Sequence, residues 1–357
     1  MTVAALETAY EKAAGGERLT HAEGTLLLTD GDTHILGALA QKRRMALHPE
    51  RIVTYIVERN INYTNVCITY CRFCAFYRRP GHPESYVLSR ERIGKKIEDM
   101  LDQGGIQILL QGGHHPDLPL SWYEDLLRFI KANYGIHIHG FSAPEIEHIA
   151  SVEKIPVRDV IARLRDAGLG TIPGAGGEML VQRVRDRIAA LKTTTDDWLD
   201  VHRTAHELGM NTTATMMFGH YETLADRVEH LERVRQLQDE TGGFTAFILW
   251  TFQPENTAMH RVTKRESHEY LRTAAVSRLF LDNVKNLQAS WVTQGPRVAE
   301  ISLLYGINDM GSTMFEENVV SAAGTTYCMN ADSIEKAIRD VGFEPRRRNV
   351  YYQEVAA

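Results

Sequence analysis

Ile106-Gln-Ile-Leu-Leu110, then Gln111-Gly-Gly-His-His-Pro-Asp117, then an amphipathic run from Trp122 to Ala132: these pieces read as strand, loop and helix in that order. The first piece is apolar and β-rich, the second is glycine-rich and polar, and the third repeats its apolar positions with helical spacing. The same unit recurs on either side. Arg51-Ile-Val-Thr-Tyr-Ile-Val57 precedes it, and Ile136-His-Ile-His139, Gly170-Thr-Ile172, Thr212-Thr-Ala-Thr-Met-Met217 and Phe244-Thr-Ala-Phe-Ile-Leu249 follow. Leu287-Gln-Ala-Ser-Trp291 and a weak element near Asn308 complete about eight strands. Helical runs lie between them, at Leu224 to Glu240 and His268 to Val284, and from Thr195, a predicted N-cap. Alternation of this kind predicts a parallel sheet, and the count of eight predicts an α/β fold of the closed (β/α)₈, TIM-type class.

The remaining chain is assigned outward from that frame. Residues 1–48 predict an N-terminal helical extension, broken near residues 15–16 and 30–32. Residues 49–330 predict the barrel, and residues 331–357 a C-terminal helix and short tail packed on it. The chain has 357 residues, 43% hydrophobic and 24% charged, enough for a large core without covalent staples. Its formal net charge is -6, and its short basic runs read as solvated faces, so a nucleic-acid surface is not expected. There is no run of about 18 apolar residues and no basic-then-apolar leader, so neither membrane insertion nor export is expected. A reducing cytoplasm fits the thiols described next.

Three of the four cysteines lie within eight residues, in Asn65-Val-Cys67-Ile-Thr-Tyr-Cys71-Arg-Phe-Cys74, directly after the first predicted strand. In a (β/α)₈ barrel, sites gather where strands end. Thiolates are soft ligands that select iron-sulfur or zinc chemistry. Three of them on one loop can hold three corners of a [4Fe-4S] cubane, which leaves one iron open to an exogenous ligand. The amino and carboxylate groups of S-adenosylmethionine (SAM) suit that iron. The competing reading is a zinc site completed by His82, and a structural zinc does want four ligands. Cys328, far along the chain, reads as a buried structural thiol.

Other strand ends supply further candidates. Gly112 and Gly113 permit close backbone approach to a ligand, or simply a tight turn. Glu178, after Gly176-Gly177, can meet a ribose hydroxyl or an amino group, or cap a helix. Phe73 can shield a cluster and stack near adenine, or pack in the core. His114, His115, Glu145 and His220 are candidate bases, and no order among them follows from the sequence. His137 and His139 alternate with isoleucines, so one of them faces the barrel interior, where a satisfied core histidine is the plainer reading. Arg78 and Arg79 can hold a carboxylate or sit at the surface, and Gln253 and Asn256 are candidates for substrate contact.

Taken together, these motifs resemble a known family. Asn60-Ile-Asn-Tyr-Thr-Asn-Val-Cys67 with Cys71-Arg-Phe-Cys74 resembles the radical SAM enzymes of the futalosine route to menaquinone, and also the deazaflavin synthase components. Gln111-Gly-Gly-His-His115, Ile172-Pro-Gly-Ala-Gly-Gly-Glu178, Thr213-Ala-Thr-Met-Met-Phe-Gly-His220 and Trp250-Thr-Phe-Gln-Pro-Glu-Asn256 are similar to the cyclic dehypoxanthinyl futalosine synthase family in particular. The resemblance spans nearly the whole chain. It implies a [4Fe-4S] cluster on Cys67, Cys71 and Cys74, SAM as co-substrate, and dehypoxanthine futalosine as substrate. It implies a 5′-deoxyadenosyl radical that takes hydrogen from C4′ of the substrate ribose, spirocyclisation onto the benzoate ring, and loss of an electron and a proton. It also implies a flavodoxin or ferredoxin as electron donor. Aminofutalosine synthase and the tyrosine-using deazaflavin components are the rivals within the superfamily, and a zinc-bound interaction protein is the rival outside it.

Overall fold

In the computed structural model, residues 3–355 are described, and eight parallel strand positions close into a ring. β1 (Ile52–Ile56) and β2 (Glu58–Asn62) are two halves of one strand, kinked at Val57. β3 (Gln107–Gln111) pairs with β2, and β4 (His137–Gly140) with β3. The fourth position is carried by two isolated bridges, His139 to Thr171 and Ile172 to Thr212. β5 (Thr212–Phe218), β6 (Phe244–Thr251), β7 (Leu287–Gln288) and β8 (Asp309–Ser312) follow in parallel register, and β8 returns to β1. This is the expected (β/α)₈ barrel.

The local differences from expectation have physical causes. The first strand runs on to Asn62, because polar residues at 58, 60 and 62 face the barrel interior while Ile61 packs outside in the core. Trp291 opens a short helix rather than ending a strand, so β7 is only two residues long. The N-cap of the helix Thr195–Glu207 is Thr194, one residue earlier than expected, because its hydroxyl is the one that reaches the Asp197 amide. Cys328 is exposed, not buried: it lies in the irregular stretch between the helices Val319–Ala322 and Ala331–Asp340.

Three helices cover one flank: His21–Asp30 and Thr33–Leu47 pack on the helices Leu224–Thr241 and Ser267–Phe280, and Val3–Gly15 packs on the first two. The tail does more than pack outside. β9 (Glu344–Arg347) adds in parallel to β1 on the edge not used by β8. The residues beyond it reach the barrel interior, where Arg348, Val350 and Tyr352 line the central cavity. No helix among the described residues is long and apolar enough to cross a membrane.

Candidate active site

A cavity of ≈ 350 Å³ runs inside the barrel from the cysteine loop to the C-terminal tail. Its head is built by the turn after β2. Cys67, Cys71 and Cys74 all line it, and none is in a disulfide. The loop is anchored at several points. Cys67 N donates to Arg78 O, Arg78 N to Asn65 O, and Arg72 N to Ile188 O. The Thr69 hydroxyl lies 3.0 Å from Cys67 Sγ and 3.5 Å from Cys71 Sγ. Ile188, Met217, Phe252 and Met259 pack against Cys71, with Phe73 beside it.

That apolar wrapping sets the electrostatics. Burial pushes the Cys71 thiol up to about 12 and raises Cys74 as well. Bare thiolates are therefore costly here, and bound iron is the positive charge that would offset the cost. The donor set fits an iron-sulfur cubane. Among the described residues, no three His, Cys, Asp or Glu side chains converge as a single-ion site. His82, the fourth ligand a zinc site would need, is exposed, and its Nδ1 accepts from the Glu84 amide.

The glycines after β3 earn their place by contact. A Cβ on Gly113 would stand 2.1 Å from Val66 O and 2.9 Å from Cys67 Cβ, and one on Gly112 would stand 2.5 Å from Tyr63 Cζ. Only glycine lets this strand end lie against the cysteine loop. Glu145 secures the same corner. Its Oε1 accepts from Tyr63 OH at 2.7 Å and Gly112 N at 2.9 Å, and its Oε2 from Ser142 N and Oγ at 2.8 and 2.6 Å. Burial raises its pKa, and these four donors oppose the rise.

Across the head, Glu178 is buried between two cations. Lys192 Nζ donates to Oε1 at 2.9 Å, and Arg185 Nη1 is 3.9 Å from Oε2. Lys192 is largely withdrawn from solvent, which by itself would lower its pKa, yet Glu178 and Cys71 hold the ammonium up at about 12. The same ammonium lies 5.3 Å from the centre of the Phe73 ring. Arg185 is further tied to Gly176 O and Thr193 O. An ammonium, a carboxylate and an aromatic face beside three thiols can receive a zwitterionic, ribose-bearing ligand such as SAM.

The family relationship agrees with that chemistry. Residues 61–234 match the model of the radical SAM superfamily, and residues 241–356 that of the CofH/MqnC C-terminal region. Cyclic dehypoxanthine futalosine synthase of Halalkalibacterium halodurans is 48% identical over 96% of this chain and 93% of its own length. The protein of the same name from Streptomyces coelicolor is 44% identical over 98% of this chain and 89% of its own. The chain belongs to the cyclic dehypoxanthine futalosine synthase family. Methylornithine synthase (PylB) is similar in fold, with a TM-score of 0.75 at 17% identity over 95% of this chain and 97% of its own. As a radical SAM family, the synthases use a [4Fe-4S] cluster and SAM.

Within the synthase frame, the remaining sequence candidates divide. His114 is buried at the cavity wall, with its ring 5.1 Å from that of His148. Burial, then His148 and Lys192, hold its pKa well below the usual imidazole range. His139 is the strand histidine that lines the cavity, its Nδ1 2.8 Å from Thr171 Oγ1. His115, Arg78, Arg79, His220, Gln253 and Asn256 are not brought to the cavity wall. His115 Nδ1 accepts from Asp117 N. His220 Nε2 donates to Met217 O, and its Nδ1 accepts from Tyr221 N beside Glu222. Arg78 donates to the carbonyls of Ala75, Phe76 and Tyr77 and pairs with Glu84, so it splints the cysteine loop. Arg79 is exposed over Tyr70. Gln253 donates to Thr251, and Asn256 is exposed and donates to Ala322 O.

Lys192, Arg185, Arg348 and the polar face of β2 were missed from sequence. Lys192 is 14 residues beyond Glu178, with a helix between, and no local pattern joins them. The polar face did carry a signal: residues 58, 60 and 62 alternate with period two.

Proposed function

We propose that the protein converts dehypoxanthine futalosine to cyclic dehypoxanthinyl futalosine, a step of menaquinone biosynthesis. The observation that carries this is the three-thiol loop heading the barrel cavity, in a chain 44% and 48% identical to two synthases of that name over nearly its full length. Cys67, Cys71 and Cys74 hold the cluster, and Gly112, Gly113, Phe73, Glu178 and Lys192 line the place of SAM. With cluster and SAM bound, one-electron cleavage of SAM gives methionine and a 5′-deoxyadenosyl radical that takes hydrogen from C4′. The ribose radical would close on the benzoate ring, and aromaticity would return as one electron passes to a one-electron acceptor such as the oxidised cluster and one proton to a base of the protein.

The chain's own part is to position, to keep water out and to take that proton. The apolar wrapping of the loop serves the second need. For the third, His114 is the group best placed. Its imidazole is neutral and lines the cavity, whereas Glu145 already accepts four hydrogen bonds and His220 is engaged at both nitrogens. Proton loss from a ring that regains aromaticity is downhill, so a weak base suffices. The electron donor is a flavodoxin or ferredoxin, in a reducing cytoplasm.

The test is anaerobic reconstitution with iron and sulfide, followed by SAM, a strong one-electron reductant and dehypoxanthine futalosine, with products read by mass spectrometry. Stoichiometric 5′-deoxyadenosine and a product lighter than the substrate by two hydrogens are expected. Deoxyadenosine with unchanged substrate would defeat the assignment and favour the deazaflavin relatives.

A further inference from the structure

The wall of the cavity away from the cysteine loop carries polar groups not assigned above. Period-two alternation along β2 turns Glu58, Asn60 and Asn62 to the interior, and register sets Glu58 opposite Gln107 and Asn62 opposite Gln111 on β3. All five line the cavity, as does Glu317, which follows β8. Neighbouring carboxylates fix the orientation of two of the amides. Gln107 Nε2 donates to Glu58 Oε2, and Asn60 Nδ2 donates to Glu317 Oε2 at 3.3 Å. The amide oxygens that remain, Gln107 Oε1 and Asn60 Oδ1, are buried and have no hydrogen-bond partner among the described residues.

A buried carbonyl without a donor is unfavourable, because it has given up its hydrogen bonds to water. Two on one wall, beside two carboxylates, make a surface rich in acceptors whose amide donors are largely committed. Such a surface suits a ligand that brings hydroxyl groups and disfavours one that brings a carboxylate. The other side differs: Ile248 and Trp250 on β6, which lies four positions round the barrel from β3, are apolar. From this asymmetry we infer that Asn60 and Gln107, braced by Glu317 and Glu58, bind the ribose hydroxyls of the substrate, with the aromatic ring turned toward the β6 side. This rests on the proposed reaction, because that substrate is what brings a free ribose. SAM also carries ribose hydroxyls, so the test separates the two ligands.

Affinities of dehypoxanthine futalosine, of its monodeoxyribose analogues and of SAM are measured by anaerobic calorimetry on the reconstituted protein, and turnover is followed in parallel. Asn60→Leu and Gln107→Met are each expected to weaken the substrate by about 2- to 13-fold, the range of one hydrogen bond, and to leave SAM unchanged. One deoxy analogue should lose a similar factor on the unaltered protein and lose no more on the matching variant. If both variants bind the substrate as tightly as the parent while the parent converts it, the inference fails and the function stands. A loss confined to SAM reassigns the wall to SAM and overturns the inference. A parent that makes deoxyadenosine yet leaves the substrate unbound overturns both readings. Should the variants not fold, the analogues still decide on the parent protein: full affinity for every monodeoxy form overturns the inference.

Discussion

Arg348 grips both carboxylate oxygens of Asp309, Nε to Oδ2 at 2.6 Å and Nη2 to Oδ1 at 2.8 Å, and so ties the C-terminal tail to the barrel strand β8. Asp309 also accepts from Thr54 Oγ1 at 2.5 Å and Gly311 N at 2.8 Å. The third guanidinium nitrogen donates to Asn349 O. Both residues are buried, and Arg348 lines the floor of the cavity.

A buried pair stripped of one partner leaves an uncompensated charge, and the cost is about 3–5 kcal/mol. Arg348→Leu should therefore lower stability by about that amount in chemical denaturation of the cluster-free protein. Adding Asp309→Leu should recover much of the loss, because the orphaned carboxylate goes too. A double variant as unstable as the single one would show that the pair works through the shape of the floor instead of its charge.

Cys67, Cys71 and Cys74 should behave as a set and Cys328 apart from it. Replacing any of the first three by Ala removes a thiolate from the cavity head, and iron per chain after reconstitution should fall to a small fraction of the parent value. Cys328→Ser, at an exposed position remote from the loop, should leave iron content unchanged. Retained iron in a Cys71→Ala protein would refute the three-thiolate assignment.

Arg78 and Arg79 separate two ideas about the same dipeptide. From sequence, either guanidinium could hold the carboxylate of the substrate. In the structure, Arg78 spends its donors on the carbonyls of Ala75, Phe76 and Tyr77 and on Glu84, while Arg79 lies outside over Tyr70. Arg78→Ala should thus reduce cluster retention and leave KM for the substrate within about twofold in the fraction that holds a full cluster. Arg79→Ala should change neither. A rise in KM of tenfold or more at full cluster content would restore the carboxylate role.

What the sequence could show depended on how local the signal was. The cysteine spacing and the glycines after β3 are contiguous, so their chemistry could be read before any folding. The barrel was legible because strand and helix periodicity alternate along the chain, and β7 was blurred because only two of its residues pair. The partners of Glu178 were hidden, since Lys192 and Arg185 reach it only once the helix Gln182–Ala189 folds back over the loop. Arg348 was hidden for a different reason: a run of three arginines reads as solvated, and only pairing of β9 with β1 carries the last of them inside. Asn60 could have been found, because alternate polar residues in a barrel strand mark an interior that meets a ligand.

The buried histidines predict how stability depends on pH. Burial, above all, holds His139 and His230 down at about 3, and holds His202 well below its usual value. In the unfolded chain each has a pKa near 6.5. Between those values the unfolded chain binds the proton and the folded one does not, so stability rises with pH. Each such histidine should cost about 1.4 kcal/mol of stability per pH unit as the pH falls below about 6.5, and nothing above it. His202 offers a direct check. Both of its ring nitrogens lack a hydrogen-bond partner among the described residues, and its ring lies 4.0 Å from that of Trp198 and 5.5 Å from Phe244. His202→Leu should flatten the stability profile between pH 5 and 6.5 by about one histidine's slope, with stability at pH 7.5 equal to or above that of the parent. Denaturant melts of the cluster-free protein at several pH values would measure this, and an unchanged slope in the variant would mean that His202 is protonated inside the fold.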